Sequence, residues 1–546
     1  MQRPYTRAIV VAGWIALLVL PALAWALIDQ SVWPWDPSYY GDSSMRLGFA
    51  AHDLREWLEN ALYILKMMPP LIVWMGQFFV PLRHITGDIE SALLLFNVLV
   101  AAGTLALVYK VARDLAADHL ANPTQSLTVG LAAMTACGGA SLFIGLSHQF
   151  LTEILQCFAA ALSVTLVLHA ERRSWLRNAA GLMLMLGVAF LAKASSIAFV
   201  LPAMVYMTVV LLITRKDARP ATRRADLAWT AISAAVLLLA VTWYVANWDW
   251  MMVHFVQATV GTEIQGYRAR EPMLTQLHFW VVTLADSFSP MRLFSGTCGA
   301  LIAVGLILTA LQAWRTRASL HHIVRSGTLY GFYLAGMAIC IVLSYAMQIN
   351  QDPRYIAPLV PILACLLGWA LVRLRRFALA ALILVAFTAN AVFLNAAALG
   401  VTTPLNYRWL WTADADKTDK NILMKIVRTT CEVAKGRRPV ALGVSYPFIN
   451  PNSANFYAAI YHLESGADCL FIPIPQDDAA KAMAMLDDSH LNFAVTVAPE
   501  YQDSVNFANV TAKAFAEAVA LDQRFELLPE SPARVRIYRR IAVPQP

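Results

Sequence analysis

The stretch Trp33-Pro34-Trp35-Asp36-Pro37-Ser38-Tyr39-Tyr40 follows an apolar run from Ala8 to Ile28. That run has the ~20 residues a helix needs to cross the hydrocarbon core of a bilayer. It is longer than the ~7–15 residues of a secretory signal core, so it reads as a retained anchor despite the cleavage-like Ala22-Leu23-Ala24. An acid wedged between aromatics and prolines beside a span is costly to keep there, which makes Asp36 a candidate functional residue. Further on, Lys66-Met67-Met68-Pro69-Pro70 leads into another apolar run.

Working outward, composition sets the class. Of 546 residues, 59% are hydrophobic and 14% charged, and mean hydropathy is +0.55; soluble domains carry about a quarter charged residues. Apolar runs succeed one another to about Asn395, and from about Thr412 the chain becomes mixed and polar. Two domains are expected. One is a membrane body over 1–400, with a first loop at 29–88 and a long loop at 247–290. The other is a soluble domain over 412–546, long enough for one compact core.

The net charge of +7 does not point to nucleic acid, because the cations sit in alternate loops. They fall at Arg3 and Arg7; Lys110 and Arg113; Arg172, Arg173 and Arg177; Arg215, Lys216, Arg219, Arg223 and Arg224; Arg315, Arg317 and Arg325; and Arg373, Arg375 and Arg376. The positive-inside rule makes these loops cytoplasmic. Pro69–Val80 is apolar but too short to span. Counting it as a span would reverse the placement of every later basic loop, so it reads as an interfacial or re-entrant helix on the outer face. The expected spans are 8–28, 89–109, 126–146, 150–169, 178–193, 195–213, 227–246, 295–314, 327–347, 355–372 and 377–398, about eleven in all by length and apolarity. The reading is thus a mainly α, polytopic inner (plasma) membrane bundle with a cytoplasmic amino terminus and a small periplasmic or extracytoplasmic α/β domain.

This topology sorts Asp36, Lys66, His148, Glu153, Lys193, Asp352 and Arg354 to the outer membrane face. Charges at such depth are partnered or functional. Each also has a plain structural reading. Asp36 suits an Asx-Pro turn, Glu153 an ion pair, and Lys193 snorkelling at a span end. Arg354 in Gln351-Asp352-Pro353-Arg354-Tyr355 suits pairing with Asp352, although its planar fork also matches a phosphate. Lys66 suits an interface anchor.

Taken in order, these segments resemble a family. Asp36-Pro37-Ser38-Tyr39-Tyr40-Gly41 is similar to the acidic-aromatic first-loop motif of the GT-C membrane glycosyltransferases, in the branch of protein O-mannosyltransferases and lipid A aminoarabinose transferases. Pro69-Pro70-Leu71 resembles that branch's Pro-Pro-Leu element, and Leu151-Thr152-Glu153 its Leu-Thr-Asp/Glu segment. Gly187-Val188-Ala189-Phe190-Leu191-Ala192-Lys193 resembles its Gly-x4-Leu-Thr-Lys segment. Arg354-Tyr355 with Pro358 and Pro361 is similar to its Arg-Tyr-x-x-Pro-x-x-Pro signature. The resemblance covers about residues 8–400. Departures are Pro37 where many relatives carry a second acid, Met68 before the proline pair, and Ala192 in place of Thr.

The resemblance implies transfer of a sugar from a polyprenyl-phosphate donor to a lipid, glycan or protein acceptor at the outer face. Such displacement needs a base for the incoming hydroxyl and cations for the departing phosphate. Asp36 is the candidate base, and a single displacement inverts the anomeric carbon. Arg354, Lys193 and Lys66 are candidates for the phosphate. Tyr39 and Tyr40 suit sugar stacking or an interfacial aromatic belt. His148, Glu153 and Tyr355 are candidates for substrate contact. Paired acids favour a divalent metal, so the lone Asp36 implies a base working without one, and no cofactor is expected. His254, Glu263 and His278 in the long loop match no zinc-ligand spacing. Membrane lipids are the other expected partners.

In 412–546, strand-like runs at Val440–Tyr446, Cys469–Ile474, Phe493–Ala498 and Arg534–Arg539 alternate with helical ones at Ile422–Ala434, Ser453–Leu463, Asp478–Leu486 and Val510–Leu521. Alternation of this kind predicts a layered α/β domain. Gly443-Val444-Ser445-Tyr446-Pro447 lacks phosphate-loop spacing, so acceptor binding or scaffolding is expected rather than catalysis. Of seven cysteines, Cys431 and Cys469 share this domain; whether they pair is not decided by sequence. The rival reading is a polyprenyl-lipid or glycan transporter. Such proteins often carry related halves and place ionisable groups near the midplane; this chain shows no internal repeat and keeps its polar groups near one face. A degenerate, non-catalytic body is a third reading.

Overall fold

The computed structural model describes residues 4–29, 31–120, 122–214, 224–259, 271–348, 350–403, 418–433, 438–444, 446, 449–467, 469–475, 478–489, 491–499, 506–532 and 534–541. The chain forms two compact units. The first comprises Met1–Leu27, Leu58–Met75 and Leu94–Ala413, and the second Ile28–Trp57, Gly76–Leu93 and Asp414–Pro546. The units are therefore spatial rather than sequential: parts of the first loop fold with the carboxy-terminal residues.

In the first unit and its boundary with the first loop, nine helices among the described residues are long and apolar enough to cross a membrane. They coincide with nine of the expected spans. The expected 126–146 span is instead two helices, Pro123–Gly138 and Ser141–Ser147, bent by 64°. The bend lies where the backbone of helix Phe377–Ala398 comes close: a Cβ on Gly139 would meet the Phe387 carbonyl oxygen at 2.4 Å. The expected 150–169 span is the shorter apolar helix Thr152–Val167. In residues 69–80 the α-helix is the six-residue Leu71–Gly76, far short of a bilayer crossing. Much of 247–290 is helical. Helix Arg224–Thr259 continues past a kink at Asn247 (φ −122, ψ 15), and Met273–Phe288 forms another helix. Glu263, Tyr267, Arg268 and Arg270 lie outside the described residues.

Burial separates lipid-facing from interior helices. In Arg224–Gln257 and Arg292–Arg315, 17% of the apolar window is buried, against 89% in Pro353–Leu374. With no hydrophobic drive between helices in lipid, close approach of small residues holds such an interior helix. Gly368 shows this, since a Cβ there would lie 2.9 Å from the Ala112 Cβ and 3.3 Å from that of Ala133. The interior helix is the one that begins with Arg354 and Tyr355.

In the second unit, five strands form one sheet in the order β2-β1-β3-β5-β4. The strands are β1 (Arg438–Gly443), β2 (Cys469–Pro473), β3 (Phe493–Val497), β4 (Phe525–Leu527) and β5 (Val535–Arg540). β1 pairs in parallel with β2 and β3, while β5 runs antiparallel to β3 and β4. Helices Pro451–Ser465 and Ala479–Asp488 are the crossovers that parallel pairing requires. Ala441, Ala482, Leu486, Ala494, Phe515 and Val519 build the core against the sheet. Cys431 and Cys469 form a disulfide with a Cα–Cα distance of 5.3 Å, inside the usual range of about 4.4–6.8 Å. Four strands and four helices match the sequence expectation; β4, three residues long, was too short to show an alternating pattern.

Candidate active site

Several candidate residues converge at helix ends within the first unit. Leu151 is extended and Glu153 sits in the first turn of helix Thr152–Val167, where an acid meets the positive end of the helix dipole. Lys193 occupies an extended break between helix Trp175–Ala192 and the short turn Ala194–Ser196. That break lets its Nζ donate to Glu153 Oε1 at 2.6 Å, with side-chain exposures of 21% and 3%. Lys193 Nζ also lies 4.5 Å from the centroid of the Tyr355 ring, a cation–π contact. Tyr355 stacks on Tyr345 at 5.7 Å, and its hydroxyl accepts from Asn350 Nδ2 at 2.9 Å.

Arg354 precedes Tyr355 in the turn Pro353–Ile356, which Asp352 caps by accepting from the Arg354 backbone N–H at 3.0 Å. The other Asp352 oxygen takes Arg354 Nε at 2.8 Å and an Nη at 2.7 Å. The guanidinium also acts electrostatically on Glu153. Glu153, Lys193, Arg354 and Tyr355 thus form one cluster in which each cation has a carboxylate to hold it. Gln156, one turn beyond Glu153, donates to Ser195 Oγ at 3.1 Å and braces the Lys193 break. No charge or motif marks Gln156, Ser195 or Tyr345 in the sequence, and the reading above did not find them.

Two other candidates have their closest ring contacts elsewhere. Lys66 is exposed, with its Nζ 5.5 Å from the Trp250 ring centroid. His148 is buried and stacks on Trp25 at 4.6 Å and 16°, and neither ring nitrogen has a hydrogen-bond partner. Among the described residues, no group of three or more His, Cys, Asp or Glu side chains is arranged to hold a metal ion.

The second unit holds the first-loop candidates. Pro34 is extended and precedes helix Trp35–Ala50, placing Asp36 in the first turn at the favourable dipole end. Pro37 is accommodated there because first-turn N–H groups lack helical partners. Tyr40 is buried, 4% exposed, so the belt or packing reading fits it better than an open stacking face. Tyr39 is half-buried; burial, then Asp42 and Asp36, raise its hydroxyl above the ordinary tyrosine value. Asp42 pairs with Arg46 at 2.8 Å, a second first-loop acid that sequence reasoning passed over because it is not adjacent to Asp36.

Residues 67–248 match the family model described as dolichyl-phosphate-mannose-protein mannosyltransferase. No curated protein matches the chain by sequence. Among solved structures, ArnT from Cupriavidus metallidurans bound to undecaprenyl phosphate is similar over 98% of this chain and 99% of its own, with TM-score 0.56 and 15% identity. Its apo form gives TM-score 0.54 and 16% identity, with the same coverage. The archaeal oligosaccharyltransferase AglB from Archaeoglobus fulgidus, in complex with an inhibitory peptide and a dolichol-phosphate, gives TM-score 0.52 and 11% identity over 98% of this chain and 75% of its own. A multi-helix membrane body with a small terminal sheet and polar clusters at helix ends defines a GT-C-fold membrane protein. The chain thus shares its fold with ArnT and AglB, and over residues 67–248 it is similar to the mannosyltransferase family model.

Proposed function

We propose that this protein is an integral-membrane glycosyltransferase that moves a sugar from a polyprenyl-phosphate donor to a lipid, glycan or protein acceptor. The observation that carries the reading is the Glu153–Lys193–Tyr355–Arg354 cluster at the ends of interior membrane helices, within a fold shared with ArnT bound to undecaprenyl phosphate. Two cations locked by carboxylates suit the recognition of a lipid phosphate. Their rotamers are fixed before the anion arrives, and preorganised charge is what stabilises a departing phosphate. The amino terminus is cytoplasmic and the reaction takes place at the outer face of the inner membrane, following the distribution of basic loops.

In the proposed step, Asp36 accepts the proton of the acceptor hydroxyl. The freed oxygen forms a bond to the anomeric carbon as the bond from that carbon to the phosphate oxygen breaks. The electron pair leaves with the polyprenyl phosphate, whose charge Arg354, Lys193 and Lys66 balance. One displacement inverts the anomeric configuration. Tyr39 and Tyr355 contribute ring faces to substrate, and His148 and Glu153 orient the acceptor or the loop. The base works without a divalent metal, so transfer survives chelation.

The test is transfer from labelled polyprenyl-phosphate sugars by the protein reconstituted in liposomes. Asp36→Asn is expected to lower kcat by about 10²–10⁴-fold, the usual worth of a general base. Arg354→Lys is expected to raise KM for the donor, because a point charge replaces a planar fork. Equal transfer by wild type and Asp36→Asn removes Asp36 as the base. Movement of donor across the liposome without any transfer removes the enzyme reading in favour of transport.

A further inference from the structure

The proposed mechanism makes no use of a buried polar chain inside the second unit. Helix Pro451–Ser465 starts with a capping box: Asn450 accepts from the Asn452 and Ser453 N–H groups, and Ser453 Oγ accepts from the Asn450 N–H. This fixed start presents Phe456 and Tyr457. Phe456 stacks on Trp33 at 5.1 Å and 10°, and its ring lies so close to helix Trp35–Ala50 that a Cβ on Gly41 would come within 2.6 Å of it. The Tyr457 hydroxyl accepts the Trp33 backbone N–H at 3.2 Å and donates to Glu90 Oε1. Lys420 donates to the other Glu90 oxygen. Trp33 in turn accepts from Ser38 Oγ at 2.5 Å through its carbonyl. Tyr457 and Trp33 are 1% and 4% exposed, and Glu90 8%.

Asp36 lies between the two ends of this clamp. Its helix begins at Trp35, two residues after the N–H held by Tyr457 and three before Ser38. A purely structural link would be satisfied by packing of Phe456 against Trp33. Spending a buried hydroxyl, a buried carboxylate and a lysine on one backbone N–H fixes something finer, the register and direction of the first helical turn. A buried N–H left unmade is costly, so the turn has one well-defined place while the chain is intact.

We propose that Tyr457, itself oriented by Glu90 and Lys420, is a positioning residue that sets the first turn of helix Trp35–Ala50 and so aims the Asp36 carboxylate. The carboxy-terminal domain thereby takes part in the chemistry without touching substrate. This rests on the reading of Asp36 as base, and the experiment separates the two.

Tyr457→Phe keeps the ring and removes only the hydroxyl. In full-length protein, kcat is expected to fall by on the order of 10- to 100-fold, the scale of a small misplacement of a catalytic group, with KM for donor unchanged. Amide hydrogen exchange at 33–38 is expected to speed up while exchange in β1 and β3 stays as in wild type. Lys420→Arg, which keeps a cation on Glu90, is expected to retain most activity, and Lys420→Met to lose it. If Tyr457→Phe speeds exchange at 33–38 but leaves kcat at the wild-type value, the positioning role is overturned. Unchanged exchange there overturns the clamp itself. If Asp36→Asn alone keeps full kcat, the base reading has failed, and the exchange data still decide the clamp.

Discussion

At the residue scale, the Glu153–Lys193 pair is where structure and chemistry are most tightly bound. Glu153 is 3% exposed on its side chain and Lys193 21%, so neither charge has full access to solvent. Breaking such a pair leaves a poorly solvated charge, whereas replacing both partners by apolar groups is often neutral. Glu153→Gln is therefore expected to destabilise the protein by about 3–5 kcal/mol. Glu153→Gln combined with Lys193→Met is expected to recover much of that loss while remaining inactive. Thermal unfolding in detergent, read beside transfer assays, checks both halves. A double variant as unstable as Glu153→Gln alone would contradict the pairing argument. Residue types were readable in advance: Glu153, Lys193 and Arg354 stood out because ionisable groups at span ends are rare. Gln156, Ser195 and Tyr345 did not, because neutral residues in apolar helices carry no such contrast and only the folded backbone brings them near Lys193.

At the element scale, hydropathy located the membrane helices well because length and apolarity are properties of single segments. The bend at Gly139 is not legible in the sequence, and the backbone packed against it comes from the distant Phe387. In residues 247–290 aromatic, histidine and charged residues break up the apolar run and suggest a loop, yet the described parts form helices. In the α/β domain, alternation revealed the strands but could not decide the cysteine pairing. That became clear only when helix Thr418–Val433 and β2 met in three dimensions. The disulfide closes a separation of 38 residues, for which the chain-entropy model gives about 4 kcal/mol. Cys431→Ser with Cys469→Ser is expected to lower the unfolding temperature of this domain, followed by scanning calorimetry with and without reductant. Identical melting of oxidised wild type and double variant would show that the bond contributes nothing.

For the whole molecule, the decisive sequence feature was the alternation of basic loops, a pattern no single element contains. It sets the proposed orientation, which impermeant maleimide labelling of intact cells tests directly. A cysteine placed at exposed Glu464 is expected to react from outside. One placed at exposed Thr316 is expected to react only after permeabilisation. The reverse pattern would invert the topology and remove the outer-face assignment of the chemistry. The pairing of residues 424 apart in Trp33 and Tyr457 has a further consequence, in the order of biosynthesis. A ribosome adding about 5–20 residues per second leaves roughly 20–80 s between making the two. Throughout that interval the helix bearing Asp36 has emerged without the partner that fixes it, and every membrane helix is made before the partner arrives. Under the proposed role of Tyr457, a chain that stalls or is cut before residue 457 leaves a membrane body whose Asp36 is never aimed. On that proposal, competence waits for the carboxy-terminal domain, which ties the chemistry to a late stage of synthesis.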